Sequence, residues 1–226
     1  MSVTPTDPRW PKVLSLSVHE FRTPMTVVAG YIRMLLKDRA GALNDQQRKL
    51  LEEAEKSCAR LSALLSEVSE LSNLEAGTAP FNKAPTDIPA AIREAVNALP
   101  PMPDREVPVT LDLDGAVPPI TADPVRLTQA FTSIVAALRR ELIGDDPLIV
   151  RGRPDGADYE VLIGDSETIA ALDAEPASDR GVFDEWRGGV GLSLTVARRI
   201  LNAHGASIFA APDGRKAGAR IMLRSA

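Results

Sequence analysis

Leu14, Val18, Phe21, Met25, Val28, Ile32 and Leu35 recur at alternating spacings of four and three. This is the a/d periodicity of a helix packed against other helices. The pattern predicts a first helix from about Trp10 to Lys37, broken by Asp38-Arg39-Ala40-Gly41. Asn44, with Gln47 three residues on, carries the capping-box signature of a second helix. There Leu51, Ala54, Cys58, Leu61, Leu65 and Val68 again step by three and four, and Leu71 and Leu74 extend the face until Gly77 ends it. Two long helices joined by a short loop make an antiparallel hairpin. One hairpin cannot bury two such seams by itself, so a homodimer forming a four-helix bundle is expected. Packing of the seam on the chain's own second half is the alternative.

After a polar, proline-bearing link from Thr78 to Pro89 the hydrophobic period changes. Pro89 to Leu99 reads as a helix closed by Pro100-Pro101, and Val107 to Leu113 alternates like a strand. Asp123-Pro124 starts a helix that continues to about Glu141. Leu148-Ile149-Val150 and Tyr159 to Ile163 read as strands, and a further helix spans about Val190 to Ala203. Ser207 to Ala210 and Ala219 to Leu223 finish a sheet. The expected architecture is α + α/β, a helical hairpin over residues 1–78 followed by a two-layer α/β sandwich over residues 79–226.

A net charge of −5 argues against nucleic acid as a main partner. The single cysteine, Cys58, falls on an apolar helical face and reads as a small core residue; it excludes an intrachain disulfide. No apolar run approaches transmembrane length, and the start lacks the basic-then-apolar pattern of a signal peptide, so a soluble cytoplasmic protein without a membrane span is expected. Met1 to about Pro11 reads as a polar leader, and both a natural start and an excised piece of a longer sensor fit it.

The chemistry concentrates at Val18-His19-Glu20-Phe21-Arg22-Thr23-Pro24-Met25-Thr26. His19 lies one step off the seam and is expected to be partly exposed, with Arg22 and Thr23 on the same patch at i+3 and i+4. Pro24 removes the bond to the Glu20 carbonyl and predicts a kink just past the histidine. A neutral imidazole is a nucleophile near neutral pH, and a neighbouring carboxylate can orient it and accept its ring proton. A zinc-protease His-Glu-x-x-His reading fails because Thr23 stands where the second histidine is required.

The string SVHEFRTPMT resembles the H-box of two-component histidine kinases, S-x-H-E-[LF]-R-T-P-[LM]-T. The resemblance implies that His19 accepts the phosphoryl group and Glu20 is its acid/base partner. Thr23 would position a water for dephosphorylating a regulator. A response regulator receiver domain is the implied partner, docking near Arg22 and Thr26. The element order of the second half resembles the ATP-binding catalytic domain of the same kinases, with departures. Asp123-Pro124-Val125-Arg126-Leu127-Thr128-Gln129 is similar to that family's lead-in to its asparagine-bearing helix, but Ser133 and Ala137 stand where asparagines are expected. An alanine methyl has no lone pair to coordinate magnesium.

The family's D-x-G-x-G is represented by Asp165 alone, with both glycines absent and Glu167 adding negative charge. The lid that closes on ATP looks shortened, Phe183-Asp184-Glu185-Trp186 running almost directly into Gly188. Gly188-Gly189-Val190-Gly191-Leu192-Ser193-Leu194 resembles the family's second glycine motif. Gly189 and Gly191 there fit either an anion site at a helix start or tight strand-to-helix packing. His204, beside Gly205, reads as a capping or surface residue. These departures predict a relay protein that exchanges phosphate between His19 and a regulator aspartate. ATP and magnesium are cofactors only if the second domain still binds nucleotide. An ATP-dependent autokinase and a non-catalytic partner of a kinase or regulator are the competing readings.

Overall fold

The computed structural model describes residues 9–102, 105–113, 120–175, 180–186, 191–215 and 217–224. The chain divides into two compact units, Met1–Ala79 and Pro80–Ala226.

The first unit is the hairpin of α1 (Trp10–Leu36) and α2 (Asp45–Glu75). At the turn, Asn44 and Gln47 exchange the two bonds of the capping box: the Asn44 side chain accepts from the Gln47 amide at 2.8 Å, and the Asn44 amide donates to Gln47 Oε1 at 3.0 Å. Arg48 closes the loop from the other side. Its guanidinium pairs with Asp38 at 2.8 Å and donates to the Leu36 carbonyl at 2.9 Å, satisfying an acceptor that the end of α1 leaves open. At the far end Ser72 Oγ donates to the Pro11 carbonyl at 2.6 Å, which fixes the helices as antiparallel. Val18, Ile32, Cys58 and Ser72 are buried in the seam. Pro24 sits inside an unbroken α1.

The seam is narrower than the periodicity suggests. Phe21, Val28 and Leu61 are exposed, and so are Trp10, Val13, Leu16, Val27, Tyr31 and Met34. At 100° per residue these α1 side chains and the buried ones form an apolar arc wider than half the helix, and one partner helix covers only part of it.

The second unit is an α/β sandwich. Its main sheet has the order β2 (Val109–Leu113), β4 (Leu148–Asp155), β5 (Asp158–Gly164), β8 (Ala219–Leu223), β7 (Ser207–Ala210), β6 (Gly181–Val182), and only β2 and β4 run parallel. A small antiparallel pair, β1 (Ala84–Thr86) with β3 (Ile120–Ala122), lies outside it. Helices α3 (Ile88–Asn97), α4 (Pro124–Glu141) and α6 (Ser193–Ala203) cover one face. Their Ile92, Phe131, Ile134, Leu194 and Ile200 are fully buried, as are Val150, Val161, Ile163 and Ile221 of the sheet. The expected link from Thr78 to Pro89 contains β1, and α3 begins one residue before Pro89, where Asp87 accepts from the Ala90 amide at 3.0 Å.

Residues 166–174, to which the sequence pattern assigns no element, are a helix, α5 (Ser166–Ala174), on the opposite face of the sheet. Ile169 and Leu172 pack there on Leu162, Ile149 and Ala211, each buried aliphatic contributing roughly 1.5–3 kcal/mol. The first turn of α5 fits because two positions are glycine. A Cβ at Gly218 would lie 2.4 Å from Thr168 Cγ2 and 2.6 Å from Ala211 Cβ, and one at Gly164 2.6 Å from the same methyl. Asp173 then bridges Arg151 at 3.1 Å and Arg153 at 2.8 Å, and the buried Arg220 pairs with Glu160 at 3.3 Å.

Gly218→Ala should therefore destabilise the second unit by about 1–3 kcal/mol through overpacking under α5. A lower urea midpoint with an unchanged slope is the expected result.

Candidate phosphoacceptor site

His19 stands in the middle of the polar strip of α1, opposite the apolar arc. The strip carries Lys12, Ser15, Arg22, Thr26, Arg33 and Lys37, all exposed and none acidic. The imidazole is 77 % exposed, and its Nδ1 lies 3.7 Å from Glu20 Oε1. That separation is within ion-pair reach and longer than a hydrogen bond. The carboxylate faces the Nδ1 side of the ring, so Nε2 is the nitrogen on the side away from it. Arg22 and Thr23 follow on the same turn and are exposed. Thr26 Oγ1 donates to the Arg22 carbonyl at 2.8 Å, and Ser17 Oγ to Val13 at 2.9 Å. Pro24 has no amide hydrogen, so the Glu20 carbonyl lacks its i+4 donor right beside the histidine. The helix thus presents a nucleophile, a carboxylate and a guanidinium on a rigid rod.

The second unit places the remaining sequence-predicted residues separately. Asp165 is the N-cap of α5, and its Oδ1 accepts from the Thr168 amide at 2.7 Å. Ala137 is buried in the helical layer, and Ser133 is half-buried on the same helix. Gly191, at φ +69°, precedes α6; Gly188 and Gly189 lie outside the described residues. The segment ahead of that turn is held down at three points. Gly181 and Val182 pair with β7 as the edge strand, Phe183 is buried, and Glu185 pairs with Arg198 of α6 at 3.3 Å.

His204 stands at a helix C-cap, as one of its two sequence readings has it, and is buried rather than at the surface. It is buried at the C-cap of α6, with Nδ1 donating to the Ile200 carbonyl at 2.8 Å and Nε2 accepting from the Asp123 amide at 3.0 Å. The surface reading took its position beside Gly205 as a helix end in solvent, and the packing of Phe81 and the start of α4 around it is invisible to local pattern. Asp123 caps α4 by accepting from the Arg126 amide at 3.1 Å and also accepts from the Asn82 amide at 2.7 Å. Burial pushes its carboxyl up, but those amide donors outweigh burial and hold it below the ordinary value.

Residues 12–77 match the His Kinase A (phospho-acceptor) domain. The hairpin thus matches the phospho-acceptor domain of histidine kinases, and the chain as a whole is similar to such kinases. Among similar histidine kinases is CikA, the circadian input-output kinase of Synechococcus elongatus. It is 25 % identical over 205 residues, 86 % of this chain and 27 % of that protein. BarA of Escherichia coli K12 is 29 % identical over 203 residues, 84 % of this chain and 22 % of that protein. The chain thus spans about a quarter of the length of these curated relatives. The fold is shared with full-length ShkA, crystallised in complex with AMPPNP. There the TM-score is 0.71 at 22 % identity, over 96 % of this chain and 46 % of that one. Acinetobacter baumannii AdeS follows at 0.59 and 20 % identity, over 91 % and 97 %. The chain therefore joins a hairpin that matches the phospho-acceptor domain to an α/β domain whose fold is shared with these kinases. Among the described residues, no helix is long and apolar enough to cross a membrane.

Asp123→Ala should cost the second unit about 1–2 kcal/mol, the loss of a helix cap. The folded pKa of Asp123 lies below its unfolded value, so its contribution is present above that value, near 3.8, and is lost as the pH falls through the folded pKa. Unfolding measured from about pH 7 down to about pH 3 should show a shallower acid decline in the variant.

Proposed function

We propose that this chain is a dimeric histidine phosphotransferase that carries phosphate on His19 and exchanges it with an aspartate of a response regulator. The observation that carries this reading is the contrast between the two units. His19 is fully presented beside Glu20, while the residues where a nucleotide loop is expected form a helix locked onto the far side of the sheet.

In the forward step the Nε2 lone pair of His19 attacks the phosphorus of the regulator's acyl phosphate. The N–P bond forms as the P–O bond to the aspartate breaks, and the aspartate leaves as a carboxylate. The Nδ1 proton stays on the ring, and Glu20 on that side stabilises the positive charge the imidazole gains. Arg22, one turn on, supplies a cation near the transferring oxygens; such transfer rests on positioning and charge neutralisation. The reverse step restores neutral His19 and loads a second regulator. Thr23, on the same patch, would set a water against the acyl phosphate and give phosphatase activity.

The residues present do not fit a magnesium nucleotide. Ala137 is buried and offers no lone pair, Asp165 spends its carboxylate on the α5 cap, and Phe183 and Glu185 anchor the segment that would have to move as a lid. The exposed apolar arc of α1 supports a second copy as its cover, giving a four-helix bundle with both His19 side chains outward. The left-handed Gly191 before α6 favours a second reading, an ATP-dependent autokinase with divergent contacts.

His19→Gln should abolish labelling by every route without loss of helix content. In the wild type, label should arrive from a phosphorylated regulator and not from ATP with magnesium. Incorporation from ATP would replace the relay with the autokinase. No incorporation by either route, together with tight regulator binding, would leave a non-catalytic partner. Arg22→Ala should slow transfer about tenfold or more, the loss of one charge-assisted contact of about 1.5 kcal/mol. An unchanged rate would remove this face from docking.

A further inference from the structure

The segment that leads from the hairpin into the second unit is irregular between Gly77 and β1, yet Phe81, Asn82 and Lys83 are each tied down. The Asn82 amide donates to Asp123 Oδ2 at 2.7 Å. Lys83 Nζ donates to the Ala203 carbonyl at 2.8 Å. The Phe81 ring meets the His204 ring edge-on, at 5.1 Å between centroids and 87°. All three ties converge on the place where the start of α4 meets the end of α6, and His204 joins those two ends. Its ring is held in one tautomer. A carbonyl can only accept, so Nδ1 carries the hydrogen that reaches Ile200; an amide can only donate, so Nε2 must be bare to receive the Asp123 N–H.

We propose that His204 is a proton-operated clasp on this joining segment, holding Phe81 to Lys83 against the second unit when neutral and releasing them when protonated. A proton from solvent bonds to the Nε2 lone pair, and the Asp123 N–H···Nε2 hydrogen bond breaks because two donors then face each other. The Nε2–H bond is the one covalent bond formed, and no covalent bond of the protein breaks. Asp123 moves off the ring and takes with it the acceptor that holds Asn82, while Phe81 loses the ring it packs on.

The charged groups that face the imidazole are Lys83 from the joining segment and Asp123 and Arg126 from the start of α4. Two cations oppose the imidazolium and one carboxylate favours it. Burial lowers the His204 pKa first, and the Ile200 carbonyl and Asp123 offset that only in part. Asp123 stays ionised throughout because its own pKa is held low, so the imidazole is the group that changes. Release frees three residues ahead of β1 and lengthens the reach of the tether by about 10 Å. This inference does not depend on the proposed phosphotransfer.

The test is amide hydrogen exchange on the full chain by NMR, at about pH 7.5 and about pH 5. Protection factors corrected for intrinsic exchange should fall for Asn82 and Asp123 by about tenfold per pH unit as the pH descends toward the His204 pKa, and level off below it. Those of β5 and β8 should hold. The midpoint of the loss should coincide with the titration of the His204 ring, followed by its own carbon-bound protons. His204→Gln keeps an oxygen that accepts the Asp123 amide and takes up no proton in this range, so both amides should stay protected at either pH. Full protection of Asn82 and Asp123 at a pH where the ring's own protons report the imidazolium would overturn the clasp. A loss shared with β5 and β8, a midpoint away from the ring titration, or the same loss in His204→Gln would do so equally.

Discussion

A helix that must be both a structural rod and a carrier of an exposed nucleophile has only its circumference to divide. In α1 the division is made by the 100° step between residues. The residues from Leu14 to Leu35 that fall within the apolar arc leave a single polar strip, and His19, Arg22 and Thr26 lie along it. Neither requirement can be relaxed alone. A wider polar strip would leave the hairpin seam without its core, and a wider apolar arc would draw the imidazole inward, away from solvent. The hairpin clamp at Arg48 and the Ser72 bond to Pro11 matter for the same reason, because they fix which side of α1 faces α2.

The second unit resolves a different conflict. A kinase-like sheet leaves its outer face to water in a two-layer sandwich, whereas here α5 covers part of that face and the arginines of β4 and β8 are neutralised against Asp173 and Glu160. The chain enters α5 immediately after Gly164, using the aspartate at the end of β5 as a cap. Asp165 thus ends a strand and starts a helix. Glu167, which looked like an obstacle to phosphate, sits on the first turn of that helix and pairs with Arg215 at 3.3 Å.

The hairpin was legible almost to the residue because its signals are local: a capping box, a seven-residue period and a glycine stop all act within one or two turns. The presented histidine was legible for the same reason, being a matter of phase on one helix. Harder to see were features set by distant partners. Residues 166–174 contain no strong helical stripe, and what holds them is a cradle made by Gly164 and Gly218, far apart in sequence. β1, β3 and β6 are two or three residues long and exist only through their pairings. His204 looked like a helix end in solvent because Phe81, which packs on it, lies more than a hundred positions earlier.

The place of β8 in the sheet has a consequence for how the molecule is made. Among the described strands it is the last in sequence, yet it lies between β5 and β7, fully buried along its length. During synthesis the hairpin can close while the ribosome is still working, since its contacts are all early. The sheet instead waits with a gap at its centre, β7 and β6 unable to join β5 until Ala219 to Leu223 emerge. Closure of the sheet thus depends on pairing across a long stretch of sequence, the slow class of folding. Synthesis interrupted before Ala219 would yield a finished hairpin attached to an open, sticky sheet.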